Sequence, residues 1–264
     1  MSALRTIDPG AVAVVVPVYR NAPTLWALAR RLEIAMDRPW RLRLVVDACP
    51  AGSGPVADAL AAADPRIGVT HLPRNVGQHR ALLQGLLDEP VGGYWVCLDG
   101  DLQDPPEAVP LLVDMIAAQH MSGVFAGRRG LYEQFGRRLT GIVHRQLMST
   151  LTGLPADAGA FLAMDRALRA AVVDALGRHR APSIVAAVGG SGLPVISIPV
   201  ERAVRATGSS TWSSTARLRQ SARTLAWAAQ HRPNGRSQAA AVGSASGRST
   251  RKQHPAPGAV STST

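Results

Sequence analysis

Three carboxylates fall within six residues at Asp99-Gly100-Asp101-Leu102-Gln103-Asp104, directly behind the apolar run Tyr94 to Leu98. Acids two residues apart on a turn can hold one divalent cation between them, and Mg²⁺ or Mn²⁺ prefers such oxygen ligands while bridging to phosphates. The same residues would also serve as a solvated acidic turn capping the next helix, so the spacing alone leaves two readings. A second segment, Arg74-Asn75-Val76-Gly77-Gln78-His79-Arg80, opens a helix whose N-terminal amides and positive dipole end favour anions. Arg74 is read either as a phosphate contact or as an ordinary surface arginine. His79, without neighbouring ligand residues, reads as structural.

These segments need a scaffold that brings them together. Val12 to Val18 is an almost unbroken β-branched run, the pattern of a strand buried on both faces of a parallel sheet. Ala22 to Asp37 follows at helical spacing, and Leu42 to Asp47 returns to strand. The alternation continues with a helix at Pro55 to Ala63, a strand at Ile67 to Leu72, a helix at Gln78 to Leu87 and the strand Tyr94 to Leu98. A doubly wound α/β sheet accounts for this order, and its ligands sit beyond the carboxyl ends of the strands. Further on, the pattern predicts a helix over Pro106 to Gln119, a strand over Gly123 to Ala126 and a long helical stretch over Tyr132 to Leu151. A strand over Phe161 to Met164, a helix over Ala167 to Leu176, an edge strand over Val195 to Val200 and an amphipathic helix over Thr215 to Ala229 complete the expectation.

Composition bounds the function. The chain has 264 residues, 46% hydrophobic, enough for one sizeable core. Up to residue 200 it carries 19 basic and 17 acidic residues; beyond it, ten basic residues face only Glu201, so +9 of the net +11 lies in the last quarter. The bulk of the chain is near neutral, which argues against a globally basic nucleic-acid module. With only Cys49 and Cys97, no disulfide framework or four-thiolate zinc site forms, and a reducing compartment fits. Met1 to Gly10 lacks the apolar core of a signal peptide. Ala181 to Val200 is uncharged, but Pro182, Pro194, Pro199, Gly189, Gly190 and Gly192 are expected to break any helix there, so no membrane span is read.

Pro17-Val18-Tyr19-Arg20-Asn21, Val46-Asp47, Arg74-Asn75-Val76-Gly77-Gln78 and Asp99 to Glu107 together resemble family 2 glycosyltransferases of the GT-A fold, over about residues 11 to 212. The likeness is to the branch of dolichol-phosphate mannose synthases and undecaprenyl-phosphate glucosyltransferases. It implies a Rossmann-like, mostly parallel sheet flanked by helices, a GT-A domain over 11–212 after a short extension over 1–10. The pattern beyond it adds a helix over 213–231, and 232–264, rich in Ser, Ala, Gly, Pro and Arg without aromatics or acids, is expected to be a disordered basic tail. The resemblance also implies inverting, metal-dependent transfer of a sugar from a UDP- or GDP-sugar.

By that resemblance Pro17 and Tyr19 border the nucleotide and Asp47 binds its base or ribose. Arg74, Asn75 and Gly77 lie along the nucleotide. Asp99 sits near the ribose or sugar and shares the Mg²⁺ or Mn²⁺ with Asp101, while Gln103 and Asp104 contact the sugar. Arg128 and Arg205 meet phosphate. Asp157, in Ala156-Asp157-Ala158-Gly159-Ala160-Phe161, is the candidate base. The chain departs from the family in having one acid at Asp47 where two are usual, Ala160 for a polar residue, Leu162 for arginine, and Thr211-Trp212 for Lys-Tyr.

The expected acceptor is polyprenyl phosphate or a related envelope acceptor, reached at the cytoplasmic face with the basic tail against anionic headgroups. A water-soluble acceptor, a degenerate nucleotide-sugar binder, and a nucleic-acid binder acting through the tail are the alternatives. No RNA-binding motif supports the last, and no nucleic-acid partner is expected. Gln220-Ser221-Ala222-Arg223-Thr224 only approximates a polysaccharide-synthase signature and is read as coincidence.

Overall fold

The computed structural model describes residues 9–90, 92–129, 149–203 and 214–231. Val12, Val14, Val16 and Val18 of β1 (Val12–Val18) pack on one side of the sheet, and Ala13 and Val15 on the other. Period-2 side-chain alternation in an apolar strand therefore supplies two cores at once. On the first side lie α1 (Leu25–Ala35), α2 (Ser53–Ala63) and α4 (Val109–Ala118), through Leu25, Leu28, Leu32, Ala57, Leu60, Val109 and Leu112. The second side is covered by α3 (Gln78–Asp88), α5 (Arg166–Gly177) and α6 (Ile184–Ser191), through Ala81, Leu82, Leu86, Leu168, Val172, Leu176, Ile184 and Val188.

β1 pairs in parallel with β2 (Trp40–Val46) and β4 (Tyr94–Cys97), and β2 in parallel with β3 (Ile67–His71). Three further strands, β5 (Gly123–Arg129), β6 (Leu162–Met164) and β7 (Val195–Glu201), complete a seven-stranded sheet in the order β3-β2-β1-β4-β6-β5-β7. Short β6 runs antiparallel to both β4 and β5, whereas β7 is parallel to β5. The sheet is thus mixed but mostly parallel. Pro199 is tolerated because β7 is an edge strand.

One expectation is corrected. The glycines and prolines of residues 181–200 do not exclude a helix: α6 runs through Gly189 and Gly190. Both are packing positions, since a Cβ would lie 2.8 Å from Thr152 at Gly189 and 2.7 Å from the Trp227 ring at Gly190. Ser183 caps the start by accepting from the Ala186 amide, and Gly192, at φ 67°, ends the helix. Among the described residues no helix is long and apolar enough to cross a membrane.

The helix expected over Pro106 to Gln119 starts as a 3₁₀ turn at Pro106–Ala108 before α4. Of the stretch 132–151 only residues 149–151, which are helical, are described. The last helix, α7 (Ser214–Gln230), packs Ala228 against Ala186, and its Trp227 Nε1 donates to the His179 carbonyl at 2.9 Å. The tail over 232–264 lies outside the described residues.

The C-terminal end of α3 is tied down by Glu89, which is buried with both carboxylate oxygens engaged. Arg43 Nη2 donates to Oε1 at 2.6 Å and Arg41 Nε to Oε2 at 3.2 Å. The Glu89 carbonyl accepts from Trp95 Nε1 at 2.6 Å, so β2, α3 and β4 are held in one register relation.

Candidate functional site

Backbone strain marks the carboxyl edge of the sheet. Among the described residues five non-glycines adopt left-handed φ, and three of them, Arg20 (61°), Ala48 (45°) and Leu102 (59°), lie just beyond β1, β2 and β4. Such conformations persist only where the surroundings over-determine them, and they cluster at functional sites. The turn after β1 shows how this is done. Asn21 Oδ1 accepts from the Tyr19 amide at 2.8 Å, Cys49 Sγ from the Arg20 amide at 3.1 Å, and Ser53 Oγ from the amides of Asn21 and Ala22 at 3.0 and 3.1 Å. Burial pushes the Cys49 thiol up, but hydrogen bonding with the Ser53 side chain and with the amides of Arg20, Ala51 and Ser53 outweighs it and leaves the pKa below the usual thiol range. Tyr19 stands exposed at this edge, and Pro17 is half-buried below it.

Asp47 is only 3% exposed, and both its oxygens are occupied: Oδ1 accepts from the Val76 amide at 2.7 Å and Oδ2 from the Gly77 amide at 2.8 Å. Asn75 Nδ2 reaches the Asp47 carbonyl at 3.4 Å. The carboxylate therefore holds the β3–α3 loop in shape. Gly77, at φ 83°, turns that loop into α3, a conformation that would strain any other residue. Arg74 is exposed on the same loop.

From the first turn of α3, Gln78 Nε2 donates to Asp99 Oδ1 at 2.5 Å. His79 beside it is largely buried, and its Nδ1 faces the Ile184 amide at 3.5 Å. Burial lowers the His79 pKa to about 4 from 6.5. Between these values the unfolded chain binds a proton that the native state refuses. The stability His79 permits is therefore complete above about pH 6.5 and falls as pH drops toward about 4, by up to about 3 kcal/mol. His79→Gln is expected to flatten this part of the profile, read from urea midpoints at about pH 7 and about pH 4.5.

The acidic loop after β4 is anchored from three sides. Gln78 holds Asp99, Thr24 Oγ1 donates to the Gly100 carbonyl at 2.6 Å, and the Ala203 amide donates to the Gln103 carbonyl at 2.9 Å. Asp104 is buried and forms an ion pair with Arg202, at the exit of β7. Its carboxylate is turned to the protein, and Arg202, three residues before the Arg205 that the resemblance assigns to phosphate, is turned to Asp104. Asp101 is half-buried, and its Oδ1 accepts from the Gln103 amide at 3.1 Å.

Among the described residues no three His, Cys, Asp or Glu side chains cluster as a complete metal cage. A Mg²⁺ or Mn²⁺ site does not need one. These ions keep several waters and combine one or two carboxylates with substrate phosphates, so Asp101 and Asp99 fit as the protein's share.

Across the sheet, Asp157 lies over β5. A Cβ at Gly127 would meet Asp157 Oδ2 at 2.1 Å and Ser197 Oγ at 2.4 Å. Only glycine leaves room for the carboxylate there. Ser197 Oγ is buried and has no partner among the described residues. Since β6 separates β4 from β5, the strand under Asp157 stands two strand spacings, about 10 Å, from the strand that carries the acidic loop. Arg128 follows Gly127 near the end of β5, with its side chain outside the described residues; Arg205 lies wholly outside them.

Gln78, Thr24, Arg202 toward Asp104, Gly127 and Ser197 were not singled out as site residues from the sequence. Gln78 alone carried a signal, its place directly after the glycine that opens a helix.

The acidic loop, the anion-favouring helix start and the strained turns all meet at one edge of a mostly parallel sheet, which is the GT-A class of architecture. The glycosyl transferase family 2 model matches residues 13–167, and the chain belongs to that family. It is 32% identical over 209 residues to an undecaprenyl-phosphate 4-deoxy-4-formamido-L-arabinose transferase of Sodalis glossinidius, covering 76% of this chain and 63% of the relative. The same-named protein of Pseudomonas aeruginosa is 33% identical over 210 residues, covering 77% and 60%. The chain thus spans about three-fifths of the length of these curated relatives.

Solved structures share the fold. Glucosyl-3-phosphoglycerate synthase of Mycobacterium tuberculosis, in complex with Mn²⁺, UDP and glucosyl-3-phosphoglycerate, aligns at TM-score 0.58 with 18% identity, covering 84% of this chain and 80% of that one. A mannosyltransferase of Pyrobaculum calidifontis, in complex with GDP-mannose and Mn²⁺, aligns at 0.54 with 20% identity, covering 76% and 59%.

Proposed function

We propose that the protein transfers a sugar, with inversion, from a nucleoside diphosphate donor to polyprenyl phosphate at a membrane surface. The observation that carries this reading is that the acidic loop of Asp99 and Asp101, after β4, and Asp157, against Gly127 near the end of β5, lie at the same edge of one sheet, on strands two places apart. The undecaprenyl-phosphate transferases among the relatives support the acceptor class.

In this reading Tyr19 and the 74–77 loop bound by Asp47 receive the nucleoside, and Asp101 and Asp99 hold Mg²⁺ or Mn²⁺ beside the diphosphate. Held there, the cation would supply positive charge to balance what develops on the leaving diphosphate. Gln103 borders the sugar. Asp104 acts at one remove, through Arg202, by holding the loop's end. Arg128 and Arg205 supply positive charge to phosphate. Asp157 takes the proton of a monoprotonated acceptor phosphate. The freed oxygen attacks the anomeric carbon as its bond to the diphosphate breaks, releasing the nucleoside diphosphate. Ser197, beside Asp157, donates to an acceptor oxygen and so satisfies its buried hydroxyl.

The basic C-terminal quarter of the chain suits anionic headgroups at the cytoplasmic face. Incubation with radiolabelled UDP- and GDP-sugars, Mn²⁺, and either undecaprenyl phosphate or a water-soluble acceptor pool is the test. Label in the organic phase, dependent on the lipid, supports the proposal; label confined to the aqueous phase overturns the lipid acceptor.

A further inference from the structure

We propose that Gln78 is a positioning residue that holds Asp99 in the orientation required for cation and donor binding, and that Asp47 sets Gln78 in place. The inference deepens the reading above and rests on it. Its basis is an unbroken series of contacts along the carboxyl edge of the sheet. Asp47, at the end of β2, fixes the amides of Val76 and Gly77 at 2.7 and 2.8 Å. Those residues lead directly into α3, whose first side chain, Gln78, spans to Asp99 beyond β4 at 2.5 Å. In the sheet β2 and β4 are separated by β1, so Gln78 joins the nucleotide side of the site to its cation side across a strand.

The chemistry of the pair dictates its sense. An ionised carboxylate only accepts, so the amide must turn its NH₂ toward Asp99. A donated hydrogen bond to one oxygen restricts rotation of the carboxylate and limits which of its lone pairs face the acidic loop. It leaves the negative charge in place, as an arginine or lysine partner would not. Glutamine at this position thus orients a potential ligand without neutralising it, the task usually given to residues that support metal-binding carboxylates. Glu at the same position would set two carboxylates against each other at hydrogen-bond distance.

The test compares wild type with Gln78→Ala and Gln78→Glu by calorimetric titration of UDP and GDP, with Mn²⁺ and with EDTA, alongside thermal midpoints. Loss of an outer-shell partner costs roughly ten- to a hundredfold in metal affinity, so the Kd of the Mn²⁺–nucleotide should rise by about tenfold or more in both variants. Metal-free nucleotide binding should stay within about twofold. Thermal midpoints should stay close to wild type, because Gln78 lies at a half-exposed helix start.

Unchanged Mn²⁺-dependent binding in both variants, beside a wild type that binds, overturns this inference alone. So does an equal loss with and without Mn²⁺, which would make Gln78 an ordinary nucleotide contact or loop support. No Mn²⁺-dependent nucleotide binding by the wild type overturns the functional reading and this inference with it.

Discussion

Replacing Asp101 by asparagine should lower turnover by about a hundred- to a thousandfold at saturating Mn²⁺ and donor, while the protein stays folded. The magnitude is that of removing one preorganised stabiliser of developing transition-state charge, about 3–4 kcal/mol. The fold should survive because Asp101 is half-buried on a loop and accepts locally from the Gln103 amide, which asparagine Oδ1 can still serve. Its neighbours Asp99 and Asp104 are committed to Gln78 and Arg202, so neither swings into its place without breaking a described contact. Single-turnover kinetics with radiolabelled donor, alongside a thermal melt, checks both halves. A turnover within about fivefold of wild type would remove Asp101 from the mechanism.

The second large effect concerns Asp157 and depends on pH. If its role is to take the proton of a monoprotonated phosphate, Asp157→Asn should cost about a hundredfold at about pH 5.5, where the acceptor carries that proton. The deficit should narrow as pH rises past about 6–7, because the phosphate then ionises unaided. Gly127→Ala offers an independent route to the same result. It leaves the carboxylate in the chain but places a methyl 2.1 Å from Asp157 Oδ2, so the side chain must move away. The two variants should share a pH–rate profile, measured as kcat with polyprenyl phosphate across about pH 5.5 to 8.5. A deficit constant over that range would instead fit an alcohol acceptor, which needs a base throughout. No deficit in either variant would dismiss Asp157 as a participant.

Much of this architecture was legible in the sequence because it depends on short-range periodicity. The unbroken apolar run Val12 to Val18, buried on both faces, and the helical spacing of Leu25, Leu28 and Leu32 are local patterns, and each matches the surfaces it buries. Position after a strand likewise marked the loops at 74–78 and 99–104. The direction of β6 was not legible: three apolar residues read alike whether they run with or against their neighbours. The helix at Ile184–Ser191 was hidden because Gly189 and Gly190 look like breakers until Thr152 and Trp227 are seen pressed against them.

The candidate site divides in the same way. The residue types, a paired-acid turn and a glycine-led helix start, are in the sequence, and with them the cation and phosphate chemistry they suit. The commitments of those side chains were set only by the tertiary structure, which turns Asp47 onto the Val76 and Gly77 amides, Asp104 onto Arg202 and Gln78 onto Asp99. The reason is physical: hydrophobic periodicity acts between residues a few positions apart. The partner of a buried charge, by contrast, is whichever group the folded chain delivers to it, here from loops that follow different strands.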